Sequence, residues 1–143
     1  MAYTSISDLL VEFSVQELAK LSGDSSSTTI NENRINMFCD MATAEIDVNL
    51  FTLYNLPFAT TPEIINNISY ELTVYFIYSS YYKNSEIPDQ IKWRRINANS
   101  LLKMIKKGEI IINSFLPKSR IICRNTIEAN EFDLSYLRDL AVV

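Results

Sequence analysis

Apolar residues recur at helical spacing along most of this chain. The clearest series lies in residues 31–54, where the spacing is three or four residues in most steps. Its members are Ile35, Phe38, Cys39, Ala42, Ile46, Leu50 and Leu53. Because this spacing places side chains on one side of a helix, we predict a long helix over residues 31–54 with one buried face. A second long helix, over residues 62–83, is apolar nearly all round, which is typical of a central helix covered on several sides.

The connector over residues 53–64 determines how these two long helices pack. Asn55 occupies a position where helices commonly end in the left-handed conformation, and Pro57 prevents the helix from resuming. Leu56 and Phe58 are apolar in a segment expected to be a loop, so we expect them to lie under the helices. The next helix is predicted to begin with an N-cap, a first helical residue and an acid near the positive end of the helix dipole: Thr61, Pro62 and Glu63.

Capping boxes mark the other helix starts. In this motif a Ser or Thr is followed three residues later by an acid, and the two side chains satisfy free backbone amides. The pairs are Ser5 with Asp8, Ser14 with Glu17, and Thr29 with Glu32. The first two predict short helices, one over residues 5–13 and one from residue 14 to a stop at Gly23. The third pair predicts the start of the long helix over residues 31–54.

A fifth helix is predicted over residues 88–107, between Pro88 and Gly108. Its apolar side consists of Ile91, Ala98, Leu101, Leu102 and Ile105. At about 100° per residue, an adjacent side forms a basic stripe: Lys92, Arg95, Lys103 and Lys106. Trp93 and Ile96 point away from the apolar side, and an exposed Trp beside arginines has the composition of an interface hot spot. Against this, a single exposed aromatic residue needs no special explanation.

Beyond Gly108 the character of the chain changes. Residues 109–115 and 120–123 are apolar and rich in β-branched side chains, which favours short strands or an extended arm, and residues 132–140 favour a final helical turn. This tail is too apolar for a disordered linker, so we expect contacts, for example with another chain, to order it. We therefore predict an all-α bundle of about five helices, two short and three long. It comprises a helical domain over residues 1–108, followed by a C-terminal arm over residues 109–143.

The charges are separated along the chain. Residues 1–82 carry a net charge of −8, residues 83–124 carry +7 and residues 125–143 carry −3, for a total of −4. Such separation suggests opposite faces that meet complementary partners or further copies of the same chain. The alternative is that these are ordinary solvated helix faces.

The amino-acid composition limits which reactions the chain could catalyse and which metal ions it could bind. The chain has no histidine, which removes the commonest general base and the commonest transition-metal ligand, so we expect no enzyme, metal site or cofactor. An enzyme hypothesis would rest on carboxylates such as Asp40 and Glu45, and no motif supports it. Cys39 and Cys123 have no zinc or redox spacing and are interpreted as free cytosolic thiols. No apolar run is long enough to span a bilayer, and the N-terminus lacks the features of a signal peptide.

Several groups of residues carry a resemblance to a known family. They are Met1-Ala-Tyr3, Asp8-Leu-Leu10, Ala44-Glu-Ile-Asp47, Tyr54-Asn-Leu-Pro-Phe-Ala59, Leu101-Leu102, Lys107-Gly108 and, further on, Phe132 with Leu137-Arg138. In order and spacing these groups resemble the small head–tail connector (adaptor) proteins of tailed phages, of the Mu-like family. The resemblance covers nearly the whole chain, with departures in residues 24–29 and 110–131.

The resemblance implies a helical bundle that assembles as a ring of roughly twelve copies beneath the portal. It implies the portal protein and stopper or tail proteins as partners, and packaged DNA that passes through the channel without specific binding. The implied location is the head–tail interface of the virion, and the host cytoplasm during assembly. With the charge pattern, it gives candidate residues for an oligomer or portal interface: Lys92, Trp93, Arg95, Ile96, Lys103, Lys106, Phe132, Tyr136, Leu137 and Arg138.

The sequence also allows a function of a different class from the connector role, namely nucleic-acid binding. The basic fifth helix would suit a small helical nucleic-acid-binding module that uses Lys92, Arg95, Lys103 and Lys106. A helix-turn-helix needs two short helices joined by a tight turn, so the long helices of this chain fit that motif poorly. Retention of DNA that depends on salt concentration would favour the nucleic-acid hypothesis.

Overall fold

The computed structural model describes residues 1–23, 26, 28–83 and 85–112. These residues form five helices: α1 (Ile6–Glu12), α2 (Val15–Ser22), α3 (Glu32–Leu50), α4 (Glu63–Tyr82) and α5 (Asp89–Lys107). The described ranges contain no strand. The prediction of an all-α bundle with two short and three long helices is therefore confirmed.

Helix α4 is the centre of the bundle, as its apolar composition predicts. It packs against α2, α3 and α5. One core cluster joins α3, α4 and α5 through Ile46, Leu72 and Leu102, and a second joins α1, α2, α3 and α4 through Leu9, Leu18, Phe38, Val74 and Ile77. The predicted buried face of α3 is confirmed, since its members are buried except for Leu53, which packs at the margin of the first cluster.

The connector between α3 and α4 follows the surface but directs Tyr54 and Phe58 into the core. Phe58 is buried and Leu56 packs against the first core cluster, which confirms the expectation for both residues. The ring of Phe58 lies between those of Tyr3 and Tyr54, with centroid separations of 5.9 and 5.8 Å. Ile112, which follows α5 in the sequence, lies at the same cluster. Its backbone N–H donates to the Tyr54 hydroxyl at 3.5 Å, so the first residues after α5 also pack there.

Two predictions at the end of α3 are wrong. The helix ends at Leu50 and not at residue 54, because the amides of Leu53 and Tyr54 both donate to the Leu50 carbonyl and turn the chain inward. Asn55 does not take the left-handed conformation; among the described non-glycine residues only Lys83 has a positive φ. The turn after Leu50 therefore ends the helix, and burial of Tyr54 stabilises that turn.

Two predicted N-caps also shift by one or two residues. Asn31, not Thr29, caps α3, because its side-chain oxygen accepts from the Arg34 amide at 3.2 Å. Pro62 has extended backbone angles and occupies the N-cap position of α4, so Thr61 does not cap that helix. Pro88 likewise precedes α5 instead of opening it. A proline ring fixes φ but leaves ψ free to be extended, so the sequence alone does not distinguish the N-cap from the first helical position.

The remaining helix ends agree with the sequence. Ser14 and Glu17 form the complete capping box, with the Ser14 amide donating to Glu17 Oε2 at 2.9 Å and the Glu17 amide donating to Ser14 Oγ at 3.2 Å. The Ser5 amide donates to Asp8 Oδ2 at 2.8 Å. Gly108 ends α5 in the left-handed conformation with φ of 79°, where a Cβ atom would be unfavourable.

Candidate interaction surface

The outer side of α5 carries the exposed residues that the sequence singled out. Trp93 is 62% exposed and Ile96 is 53% exposed. They begin a row on the side opposite the buried face of α5, which we name the α5 outer stripe: Trp93, Ile96, Ser100, Lys103 and Lys107. Lys92 and Lys106 are also exposed beside it, and Lys92 Nζ lies 3.3 Å from Asp89 Oδ1 of the same helix. The exposure of Trp93 is thus a feature of the fold, and its role in an interface stays a prediction.

Arg95 does not share the exposed side with these lysines. Its Nη2 lies 3.2 Å from Glu45 Oε1 on α3, and its guanidinium carbon lies 4.6 Å above the centre of the Tyr75 ring on α4. Such a pair combines Coulomb attraction with stacking on an aromatic face. Arg95 therefore joins α5 to α3 and α4 inside one copy, and the exposed basic surface of α5 consists of lysines.

Arg94 forms a second internal cluster that the sequence did not reveal. Its guanidinium contacts both carboxylate oxygens of Glu12 on α1, and its Nη1 lies 3.6 Å from Glu71 Oε2 on α4. The Tyr70 hydroxyl donates to the same Glu12 carboxylate. The hydrogen bond from Arg94 holds the pKa of Glu12 below its usual value, whereas burial raises the pKa of Glu71. This cluster fixes the short helix α1 to the two long helices.

Replacing Glu12 with glutamine is expected to lower the free energy of unfolding at neutral pH by up to about 1 kcal/mol, because the pair is partly solvated. The pKa of Glu12 is lower in the folded chain than in the unfolded chain. Its carboxylate therefore stabilises the fold above the unfolded-state pKa, and that stabilisation is lost as the pH falls through the folded-state pKa. Urea unfolding from pH 7 to pH 3 should show the two proteins converging in acid. The control is Glu86→Gln, at an exposed loop position, which should leave the free energy of unfolding unchanged. If Glu12→Gln remained less stable than the wild type by the same amount in acid, this electrostatic role would be contradicted.

Helix α3 carries an exposed apolar row that the sequence analysis missed. The row lies opposite the buried face and alternates steps of four and three residues; we name it the α3 outer stripe: Met37, Met41, Ala44, Val48 and Phe51. Val48 is 70% exposed and Phe51, immediately after the helix, is 62% exposed. The signal was present in the sequence, since these positions also repeat at helical spacing. The stronger apolar row on the buried face concealed it.

The other candidate residues belong to the predicted C-terminal arm. Phe132, Tyr136, Leu137 and Arg138 lie outside the described residues, as does Cys123. Cys39 is a free, buried thiol, and burial raises its pKa to about 11.

Within the described ranges, no helix has both the length and the apolar character that crossing a bilayer requires. The same ranges hold no cluster of three or more acidic or cysteine side chains suited to a metal ion.

The fold and its surface define a class of small helical bundle in which two of the three long helices, α3 and α5, expose large apolar side chains to solvent. Comparison with known protein families matches residues 3–114 to the family described as Bacteriophage Mu, Gp36. The match covers well over half of the chain, so the protein belongs to the bacteriophage Mu Gp36 family. A comparison with curated proteins found no match.

Proposed function

We propose that this protein is a head–tail connector (adaptor) of a tailed phage. Copies of the chain form a ring beneath the portal, extend the DNA channel and join the capsid to the tail. The role is structural and needs neither catalysis nor a cofactor. Membership of the Mu Gp36 family supports a phage function, and the order and spacing of the resembling residues support the connector role.

The observation that carries the proposal is the exposed pair Trp93 and Ile96 on a basic helix face. Large apolar side chains that stay exposed in one copy, next to charges, are typical of surfaces that become buried on assembly. A closed ring needs two different faces on each subunit, because every copy meets one neighbour with one face and the second neighbour with another. The α5 outer stripe and the α3 outer stripe supply two such faces.

The charges are compatible with a channel that DNA traverses without being held. A protein that neutralises DNA phosphates binds DNA with an affinity that falls steeply with salt, and such binding would impede passage. The chain is acidic overall, and Arg94 and Arg95 already contact Glu12, Glu71 and Glu45 within one copy. The nucleic-acid alternative therefore loses Arg95 from its proposed basic surface and retains only the lysines.

Loss of the gene tests the proposed role directly. A stop codon in the phage gene should leave capsids and tails that accumulate separately, because nothing joins them, and the wild-type chain supplied in trans should restore tailed particles. Electron microscopy of lysates gives the readout. As a control, a chain with Val11→Ala, at an exposed position on α1 that belongs to neither outer stripe, should restore particles as well as the wild type. Tailed, infectious particles at normal titre without the protein would contradict the proposal.

A further inference from the structure

The two outer stripes share one geometry. Both rows alternate steps of three and four residues on the side of a helix opposite its buried face. This alternation is the spacing of a seam along which one helix packs against another. The α3 outer stripe is apolar throughout, whereas the α5 outer stripe is apolar at Trp93 and Ile96 and basic at its other end. Each helix thus has a second packing face that no described part of its own copy covers.

The helices that bear these stripes carry opposite charges. Glu45, Arg94 and Arg95 form ion pairs within one copy; without them, helix α3 has three acids and one base, and α5 has four bases and one acid. Two α3 helices brought face to face would repel, and so would two α5 helices, whereas α3 against α5 places unlike charges together. Asp40 flanks the α3 outer stripe on the exposed surface, and Lys92 and Lys106 flank the α5 outer stripe.

We propose that the α3 outer stripe of one copy binds the α5 outer stripe of the next copy. The inference rests on the proposed function, because it assigns the two faces through which ring neighbours meet. The two stripes of a single copy do not meet each other, since α3 and α5 both pack on α4 with their inner sides and are joined there by Glu45 and Arg95. A second copy therefore supplies the partner helix.

The C-terminal arm is the other segment that could cover the α3 outer stripe. Residues 113–143 contain four bases and four acids, so the arm offers no net charge to complement the acidic helix. Helix α5 offers both an aromatic anchor and a net positive charge. The chemistry of the α3 outer stripe therefore matches α5 of another copy better than the arm.

Cysteine cross-linking tests the pairing in the full-length chain. Cys123→Ser is introduced throughout, and Cys39 is kept because it is buried. One chain carries Met41→Cys or Val48→Cys, so that two positions along the α3 outer stripe are sampled, and a second chain of different size carries Ile96→Cys. The chains are mixed, with and without the portal protein, and treated with a short bismaleimide. The control replaces the α3 cysteine by Val11→Cys, which is more exposed but lies on α1.

With Met41→Cys or Val48→Cys, we expect a cross-linked product that joins the two chains of different size. Its yield should be at least about tenfold above that of the Val11→Cys control, because neighbours in an assembly have a high effective concentration. Cross-links only between two α3 cysteines would overturn the pairing in favour of a symmetric contact. An assembly of the expected mass without mixed cross-links would overturn the pairing and leave the connector proposal intact. A chain that stays monomeric at all concentrations and ignores the portal would overturn both.

Discussion

Replacing Ile46 with alanine is expected to lower the free energy of unfolding by about 2–5 kcal/mol. Ile46 is fully buried on α3 in the cluster where α3, α4 and α5 meet. The change removes apolar contacts with the central helix and leaves a cavity that the two neighbouring helices close only in part. Urea unfolding followed by circular dichroism gives the measurement, at a protein concentration where the chain is monomeric.

The matched control for this prediction is Ile96→Ala. It makes the same chemical change at a position that is 53% exposed on α5, so its effect on the monomer should stay within about 0.5 kcal/mol. Equal losses at the two positions would contradict the assignment of one residue to the core and the other to the surface.

Replacing Trp93 with alanine is expected to weaken assembly by about 2 kcal/mol or more, which is roughly a 30-fold rise in the dissociation constant between subunits. Trp93 is 62% exposed in one copy, so its truncation should leave the helicity of the monomer unchanged. The mass of the assembly across a concentration series gives the dissociation constant between subunits, and circular dichroism gives the helicity of the monomer.

Tyr81→Ala is the control for Trp93→Ala, because Tyr81 is also an exposed aromatic residue but lies at the end of α4, outside both stripes. It should leave assembly unchanged. A Trp93→Ala chain that loses helicity would show that the indole belongs to the core. A chain that assembles like the wild type would show that Trp93 is not an interface anchor.

The sequence predicts the helices and their buried faces well, because amphipathic spacing is a local signal. It predicts helix ends less reliably, as at Leu50 and Asn31. The turn after Leu50 depends on the burial of Tyr54 beside Phe58. The Phe58 ring in turn contacts Tyr3, which is distant in the sequence. No local pattern contains that information.

The same limit applies to the candidate surface. The phase of α5 predicts that Trp93 faces outward, and the structure confirms its exposure. The engagement of Arg94 by Glu12 joins residues 82 positions apart, so spacing within α5 could not reveal it. Arg95 and Glu45 are likewise 50 positions apart. A residue's helical phase thus predicts which way it points, whereas its ion-pair partner depends on how the helices pack.

The division of the chain at residue 108 stays a prediction. Residues 109–112 of the first segment expected to form a strand or an extended arm are described, and they form no strand. Residues 113–143, which include the second such segment (120–123) and the expected final helical turn (132–140), lie outside the described structure. Ile112 nevertheless packs against Tyr54, so the first residues of the predicted arm belong to the helical core.

Assembly into a ring beneath the portal is tested most directly by the mass of the full-length protein across a concentration series, measured alone and then with the portal protein of the same phage. We expect a closed ring, or a monomer that joins the portal in several copies per portal ring. The Trp93→Ala chain should reduce that species in either case. A wild-type chain that remains monomeric at every concentration and does not bind the portal would contradict the proposed connector role.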